Sequence, residues 1–270
     1  MRFVFEAGHG LSTAGKRTPD GEKEWSFNNK QLLACQNFLK NYEGVQILRV
    51  DDPSGKRDVP LKERTDKSNR FGADAYVSFH NNAVSGAKYG DHEGMETYSY
   101  MGRNPKSEKL QKAIHKHLIK ATKNKDRGRK EANFHVLRET KCAAVLTESF
   151  FMDSKNDIKK LRDDSYLKAT GEAIAKGIVE CYELKKKSKK PKPDYVGKRA
   201  ESIYKGSDGL NFYSKATFNK KYRAGVLKYQ YGFPKILRKL KVEGANMFEV
   251  KNSKGKTYYI TASEKYIRVE

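Results

Sequence analysis

Two histidines and one glutamate have the residue types of a hydrolytic metal site. His9 follows a short apolar run at residues 3–5, and His80 follows a second apolar run that ends at Phe79. Glu24 opens a predicted helix after the first run. Two neutral imidazoles and one carboxylate suit a zinc ion with an open fourth position. A water bound there is acidified and attacks a carbonyl that the metal polarises.

Predicted strands and a helix are the elements that must bring these three residues together. The carboxyl ends of parallel strands meet at one edge of a sheet, and a helix that follows a strand begins at that edge. His9, Glu24 and His80 are therefore expected to lie close to one another. Each also has an ordinary interpretation: His9 as a turn residue, His80 as a polar loop residue, and Glu24 as a carboxylate favoured by the helix dipole.

Glu148 is the candidate proton carrier. It ends the most apolar predicted strand, Cys142–Glu148. Desolvation at such a position raises the pKa of a carboxyl towards the range of a general base. Pairing of Glu148 with one of the many lysines is the alternative.

The order of hydrophobic patterns predicts the fold class. Strands alternate with helices up to about residue 184, which indicates an α/β domain with a twisted mixed, largely parallel sheet and helices on both faces. The predicted strands are 3–5, 45–50, 73–79, 94–100, 134–138 and 142–148. The predicted helices are 24–40, 61–71, 104 to about 123 and 167–184, and residues 153–160 are predicted to start a further helical stretch.

Composition changes near the end of this pattern and predicts three segments. Residues 1–184 form the α/β domain, and 185–194 form a lysine- and proline-rich linker. Residues 195–270 form a small all-β domain with short aromatic runs. From Lys185 onward there are 23 basic and 7 acidic residues, a net charge of +16. Most of the chain's net charge therefore lies in the linker and the second domain, where it is expected to serve docking to a partner and not the chemistry.

The totals limit the partners. A net charge of +23 implies an anionic partner, such as nucleic acid, a membrane surface or a cell-wall polymer. The three scattered cysteines predict neither a disulfide framework nor a cysteine zinc knot. No signal peptide and no membrane-spanning run are predicted, so membrane insertion is not expected. The sequence carries no signal for an oligomeric state.

The ordered motifs resemble a known family. Gly8-His9-Gly10, Glu24 with Asn28, Ala73 to Ala83 around His80, and Val145 to Phe150 around Glu148 are similar to the zinc-dependent N-acetylmuramoyl-L-alanine amidases of the third amidase family. The resemblance covers about residues 1–184. It implies that His9, Glu24 and His80 are zinc ligands and that Glu148 is the catalytic glutamate.

The sequence departs from the family pattern at two places. Glu6-Ala7 precedes Gly8 where the family usually has Asp-Pro, and Leu11 replaces a glycine. Ser149-Phe150-Phe151 replaces the usual small residues after the catalytic glutamate. Neither change removes a ligand, and both concern the shape of the substrate groove. Arg64 and Asn82 match recurring positions without an assigned role.

The second domain resembles the SH3-like wall-binding module of Bacillus phage amidases, on the residues Leu210–Lys215 and Lys251–Ser263. The resemblance implies a peptidoglycan hydrolase that cuts between N-acetylmuramic acid and L-alanine. It would act at the wall after release from the cytoplasm and bind anionic wall polymers. Both a phage endolysin and a host autolysin or mother-cell amidase fit.

Two other functions compete with this one. A zinc peptidase could cut within the stem peptide. A basic nucleic-acid-binding or wall-binding protein without catalysis is the alternative from a different class. No zinc finger, recognition helix or RNA-binding motif is present, so nucleic acid is not the expected partner.

Overall fold

A six-stranded sheet lies at the centre of the first part of the chain. The computed structural model describes residues 1–85, 87–102, 104–187 and 193–270. The strand order is β2-β1-β3-β6-β4-β5; the first four strands run parallel, β4 runs antiparallel to β6, and β5 runs parallel to β4. These strands are β1 (Arg2–Ala7), β2 (Gln46–Arg49), β3 (Ala75–Asn82), β4 (Met95–Tyr100), β5 (Asp126–Ala132) and β6 (Ala143–Phe151).

Helices cover both faces of this sheet. Phe3 and Phe5 of β1 point to one face, where they share a core with α1, α3 and α6. Val4, between them in sequence, packs on the opposite face with Tyr76 and α4. The predicted mixed α/β architecture is confirmed. The helices are α1 (Glu24–Leu39), α2 (Leu61–Phe71), α3 (Pro105–Thr122), α4 (His135–Arg138), α5 (Asp157–Leu161) and α6 (Asp164–Tyr182).

The strand predicted at Phe134–Arg138 is wrong. The backbone N–H groups of Leu137 and Arg138 both donate to the carbonyl of Phe134, and residues His135–Arg138 form the short helix α4. One helical turn buries Val136 and Leu137 together against the sheet. A short apolar pair does not distinguish a helical turn from a strand by its period.

The strands that carry the candidate site are longer than predicted. β3 continues to Asn82 and β6 continues to Phe151, so His80 and Glu148 lie inside strands. The two residues are partners in the parallel register of β3 and β6. This pairing brings the two sequence-predicted residues to neighbouring positions in the sheet.

The second part of the chain is an all-β unit. A five-stranded sheet has the order β11-β12-β13-β8-β9, a three-stranded sheet has the order β10-β7-β14, and every pair described there is antiparallel. Both sheets contribute to one apolar core that includes Ile236, Phe248 and Ile267. The strands are β7 (Ala200–Ser202), β8 (Leu210–Tyr213), β9 (Arg223–Leu227), β10 (Gly232–Phe233), β11 (Lys235–Val242), β12 (Ala245–Lys251), β13 (Thr257–Thr261) and β14 (Ile267–Val269).

The chain separates into two compact units, Met1–Lys187 and Ser188–Glu270. The first residues of the predicted linker belong structurally to the first unit, because Glu43 N donates to Lys185 O and Lys187 N donates to Asn41 O. Residues 188–192 of the predicted linker lie outside the described residues. No helix in the described ranges has the length and apolar character needed to cross a bilayer.

Candidate active site

Three elements of the first unit place the predicted metal ligands together. β1 ends at Ala7, and His9 follows in a left-handed backbone conformation with φ of 66°. Ala7 pairs with Phe79 in the register of β1 and β3, so His80 lies at the same edge of the sheet. Glu24 is the first residue of α1. The carboxylate of Glu24 thereby lies between the two imidazoles.

The distances define a compact cluster. His9 Nε2 lies 3.3 Å from Glu24 Oε2, and His80 Nδ1 lies 3.0 Å from Glu24 Oε1. The two imidazole rings are nearly perpendicular, with centroids 4.8 Å apart. One possible ligand atom from each residue lies within 4.8 Å of the others. Two nitrogens and one oxygen that converge in this way could bind a metal ion.

Two asparagines hold the glutamate of this cluster. The Asn28 side-chain amide donates to Glu24 Oε1 at 3.2 Å and to the carbonyl of Gly8 at 3.2 Å. The backbone N–H of Asn81 donates to the same Glu24 oxygen at 3.3 Å, and its side chain donates to Asn28 Oδ1 at 2.7 Å. Hydrogen-bonded carboxylates of this kind are held in the orientation that a metal ligand requires.

The electrostatics of the cluster follow from burial and from the charge of Glu24. Burial lowers the pKa of His9 to about 4, so this imidazole is neutral near pH 7 and offers a nitrogen lone pair. Burial opposes ionisation of Glu24 and of His80. Their mutual hydrogen bond and attraction outweigh burial, lowering the pKa of Glu24 and raising that of His80. The Glu24 carboxylate is therefore ionised and available to a cation.

Glu148 lies beside the cluster with an unpaired oxygen. Its partners in the sheet are His80 on one side and Glu96 on the other. Burial raises the pKa of Glu148 to about 8, against the opposing influence of His80. Glu148 Oε2 is buried and has no hydrogen-bond partner within the described residues. A buried carboxyl with a raised pKa is suited to accept and return a proton.

A charged group on the neighbouring strand was not predicted from the sequence. Glu96 is buried on β4, where Arg127 Nε lies 2.6 Å and Lys130 Nζ lies 2.8 Å from its Oε1. Tyr98 donates a hydrogen bond to the other oxygen. Arg127 and Lys130 come from β5, a strand that the sequence pattern did not reveal. Their two positive charges outweigh burial and lower the pKa of Glu96, and the Glu96 carboxylate in turn helps to raise the pKa of Glu148.

Arg64 acquires a role from the structure. Its guanidinium is buried and forms ion pairs with Glu6 at 2.8 Å and with Asp58 at 2.9 Å. It also donates to the carbonyls of Ala7 at 3.2 Å and His9 at 3.3 Å. One side chain thus fixes the backbone between the end of β1 and the left-handed His9. The signal available in the sequence was the position of Arg64 in a motif, with no indication of its partners.

The remaining histidines and the cysteines lie outside the cluster. His115 contacts Asp126 and Thr97, and His117 contacts Glu180. All three cysteines are free, and Cys35 and Cys181 are buried. These residues have ordinary structural environments in the described part of the chain.

A mixed α/β domain in which two histidines and a carboxylate converge beside a second, buried carboxyl has the architecture of a hydrolase. The sequence model of the N-acetylmuramoyl-L-alanine amidase family matches residues 4–180. The chain therefore belongs to the N-acetylmuramoyl-L-alanine amidases, enzymes that hydrolyse peptidoglycan. The resemblance recognised in the motifs is confirmed.

Some relatives match almost the whole chain and others match about 70% of it, and both groups support this assignment. The endolysin of Bacillus phage SPP1 is 34% identical over 98% of this chain and 97% of its own length. The sporulation-specific N-acetylmuramoyl-L-alanine amidase of Bacillus subtilis is 36% identical over 70% of this chain and 71% of its own. The solved catalytic domain of CwlV, an amidase from Paenibacillus polymyxa, is 28% identical with a TM-score of 0.62, covering 68% of this chain and 99% of that domain.

Proposed function

We propose that His9, Glu24 and His80 hold a zinc ion and that Glu148 transfers the proton of the reaction. The observation that supports the metal most directly is the cluster of three ligand atoms within 4.8 Å of one another. The mixed nitrogen and oxygen donor set is one that zinc prefers, and the asparagine hydrogen bonds on Glu24 are typical of ligating carboxylates. When bound, zinc supplies a Lewis acid that acidifies water and polarises a carbonyl.

Glu148 takes the proton-transfer role because its Oε2 is buried and has no hydrogen-bond partner in the part of the chain that the structure describes. It accepts a proton from the attacking water as the water oxygen bonds to the lactyl carbonyl carbon of N-acetylmuramic acid. It then gives that proton to the nitrogen of L-alanine as the amide C–N bond breaks. The products are a muramic acid carboxylate and a stem peptide with a free amino terminus. Arg64 contributes by fixing the backbone of His9.

The second unit is proposed to hold the enzyme on the cell wall. In this scheme residues 1–184 are the catalytic domain, 185–194 the linker and 195–270 an SH3-like wall-binding domain. The excess of basic residues in the last two segments suits the anionic polymers of a Gram-positive wall. A role as a phage endolysin is favoured over a host amidase, because the SPP1 endolysin matches over almost the whole length of both chains.

Lysis of purified Gram-positive walls tests this function. Turbidity is followed with a chelator, without it, and after zinc is restored, and the soluble products are analysed by mass spectrometry. Chelator-sensitive, zinc-restored lysis that releases intact stem peptides beginning with L-alanine is expected. Products cut within the stem peptide would indicate a peptidase, and lysis unaffected by the chelator would contradict the metal site.

A further inference from the structure

A pocket in the second unit has the lining of a carbohydrate site. Its volume is about 310 Å³, at the small end of the range for ligand sites and suited to one sugar residue. Four aromatic residues and three polar ones are among those that line it. The lining includes Tyr204, Asp208, Asn211, Tyr213, Phe218 and Tyr266.

The fold brings these residues together from strand β8 and from the connections that follow β7, follow β8 and precede β14. On β8, Leu210 and Phe212 pack against the apolar core, so Asn211 and Tyr213 belong to the opposite face of the strand. Tyr266 precedes β14, and its carbonyl accepts a hydrogen bond from the backbone N–H of Ile203. The pocket is therefore built on the two sheets and their connections within one unit.

Two perpendicular aromatic pairs form part of the wall. The rings of Tyr204 and Tyr266 are 5.7 Å apart at 81°, and those of Tyr213 and Phe218 are 6.1 Å apart at 79°. Tyr204 is fixed by donating its hydroxyl hydrogen bond to Asp208 Oδ1 at 3.0 Å. Tyr204, Phe218 and Tyr266 are half-buried, whereas Tyr213 is buried. Half-buried aromatic rings offer flat apolar surfaces to the C–H face of a pyranose.

Polar groups that could hydrogen-bond the rim of a sugar surround these rings. Within the described residues, no side chain hydrogen-bonds to the Asn211 amide, to Asp208 Oδ2 or to the Tyr266 hydroxyl. An amide both donates and accepts, and a carboxylate accepts, which matches the hydroxyl and acetamido groups of a pyranose.

The charge of the pocket differs from that of the unit around it. The lining contains Asp208 and no basic residue, although the unit as a whole is strongly basic. A polyanion is disfavoured beside Asp208. A cationic ligand is disfavoured because the ammonium of Lys265 already lies 5.4 Å from the centre of the Tyr266 ring. An uncharged occupant is favoured.

We infer that this pocket binds an uncharged N-acetylated pyranose of the wall glycan, while the surface lysines attract anionic wall polymers. This inference rests on the proposed wall-binding role of the second unit. Wall attachment then has two parts: attraction by the lysines, which salt screens, and glycan binding in the pocket, which salt does not screen.

Binding to purified peptidoglycan stripped of anionic polymers tests the inference. The full chain is used with Glu148→Gln so that the wall is not digested, in 0.5 M sodium chloride to screen the lysines (~4 Å Debye length). A soluble β-1,4-linked oligomer of N-acetylglucosamine is the probe and competitor. We expect the oligomer to bind and to displace the protein from the wall.

Variants of the pocket provide the matched comparison. Tyr266→Ala and Asn211→Ala should each weaken retention on the wall and binding of the oligomer by about tenfold, as expected from the loss of one aromatic or hydrogen-bonding contact. Gly206→Ala should act likewise without removing a polar or aromatic group, because its Cβ would lie 2.3 Å from the Tyr204 ring. The control is Tyr229→Ala, since Tyr229 is exposed and lies outside the pocket lining.

Two results would overturn the inference. Wild-type retention and oligomer binding by folded Tyr266→Ala and Asn211→Ala variants would show that the pocket does not bind glycan. Competition by a stem peptide in place of the oligomer would show that the ligand is a peptide. Each pocket variant, with Glu148 restored, is also assayed on a soluble muramoyl peptide. If the variants hydrolyse this peptide at the wild-type rate, their loss of wall binding is not caused by a damaged catalytic domain. Failure of the proposed amidase function would instead appear as a wild-type protein that does not hydrolyse the peptide.

Discussion

Gly8 lies against the ring of His80. A Cβ placed on Gly8 would be 2.0 Å from His80 Cε1 and 2.3 Å from Nε2, closer than any side chain permits. The glycine before His9 therefore makes room for the second histidine of the cluster. This relationship explains the need for glycine at the end of β1 in physical terms.

Gly8→Ala should displace His80 and weaken metal binding while the sheet remains folded. We expect zinc affinity to fall by about 10–100-fold, the range found when the support of a metal ligand is disturbed. Zinc content after dialysis, measured with circular dichroism, checks this. Gly102→Ala is the matched control, because its Cβ would meet the Tyr100 ring at 2.4 Å, outside the cluster. Wild-type zinc content in Gly8→Ala would contradict the proposed ligand geometry.

Arg64→Ala should strongly destabilise the first unit. The Arg64 and Glu6 side chains are each 1% exposed, so removal of the guanidinium leaves a buried carboxylate without its cation. Loss of one partner from a buried pair costs about 3–5 kcal/mol. Denaturant unfolding measures the change. The exposed Arg57–Glu63 pair provides a control, since Arg57→Ala should leave the unfolding free energy nearly unchanged. A similar small effect for Arg64→Ala would contradict this account.

The Glu6 carboxyl should make stability depend on pH in the acid range. Burial opposes its ionisation, but Arg64 and the Ser78 hydroxyl outweigh burial and lower its pKa below the ordinary value of 4.5. The unfolded chain therefore takes up this proton first as the pH falls. The stabilisation is fully present above pH 4.5 and is lost as the pH drops through the folded pKa.

Unfolding free energies of wild type and Glu6→Gln between about pH 7 and pH 3 check this dependence. The wild-type advantage should shrink as the pH falls below 4.5, because glutamine does not titrate. Parallel curves for the two proteins over this interval would show that Glu6 has the same pKa in both states.

The sequence predicted the central strands well because their residues are buried on both faces. β1, β3 and β6 are nearly continuous apolar runs, and such runs are recognisable without knowledge of their partners. β5 was missed because Asp126–Ala132 is a charged edge strand, and its pairing with β4 is a property of the folded sheet. Pairing with neighbouring strands also decides where a strand ends. β3 and β6 therefore extend beyond their predicted ends and include His80 and Glu148.

The candidate ligands could be predicted for a different reason. His9 follows the end of β1, Glu24 begins α1 and His80 lies near the carboxyl end of β3, at the edge where the topology of an α/β sheet brings residues together. Their supporting contacts could not be predicted. The bonds of Arg64 to Glu6 and His9, and those of Asn81 to Asn28, join positions far apart in the chain, and only tertiary packing specifies them.

The most direct test of the proposed mechanism is the amidase rate of Glu148→Gln on purified walls, measured beside its zinc content. Glutamine has nearly the shape of glutamate but cannot accept the proton, so the rate should fall by about 10²–10⁴-fold. One zinc per chain should remain, because Glu148 is not a ligand in this account. A Glu148→Gln protein that binds zinc and releases stem peptides at the wild-type rate would contradict it.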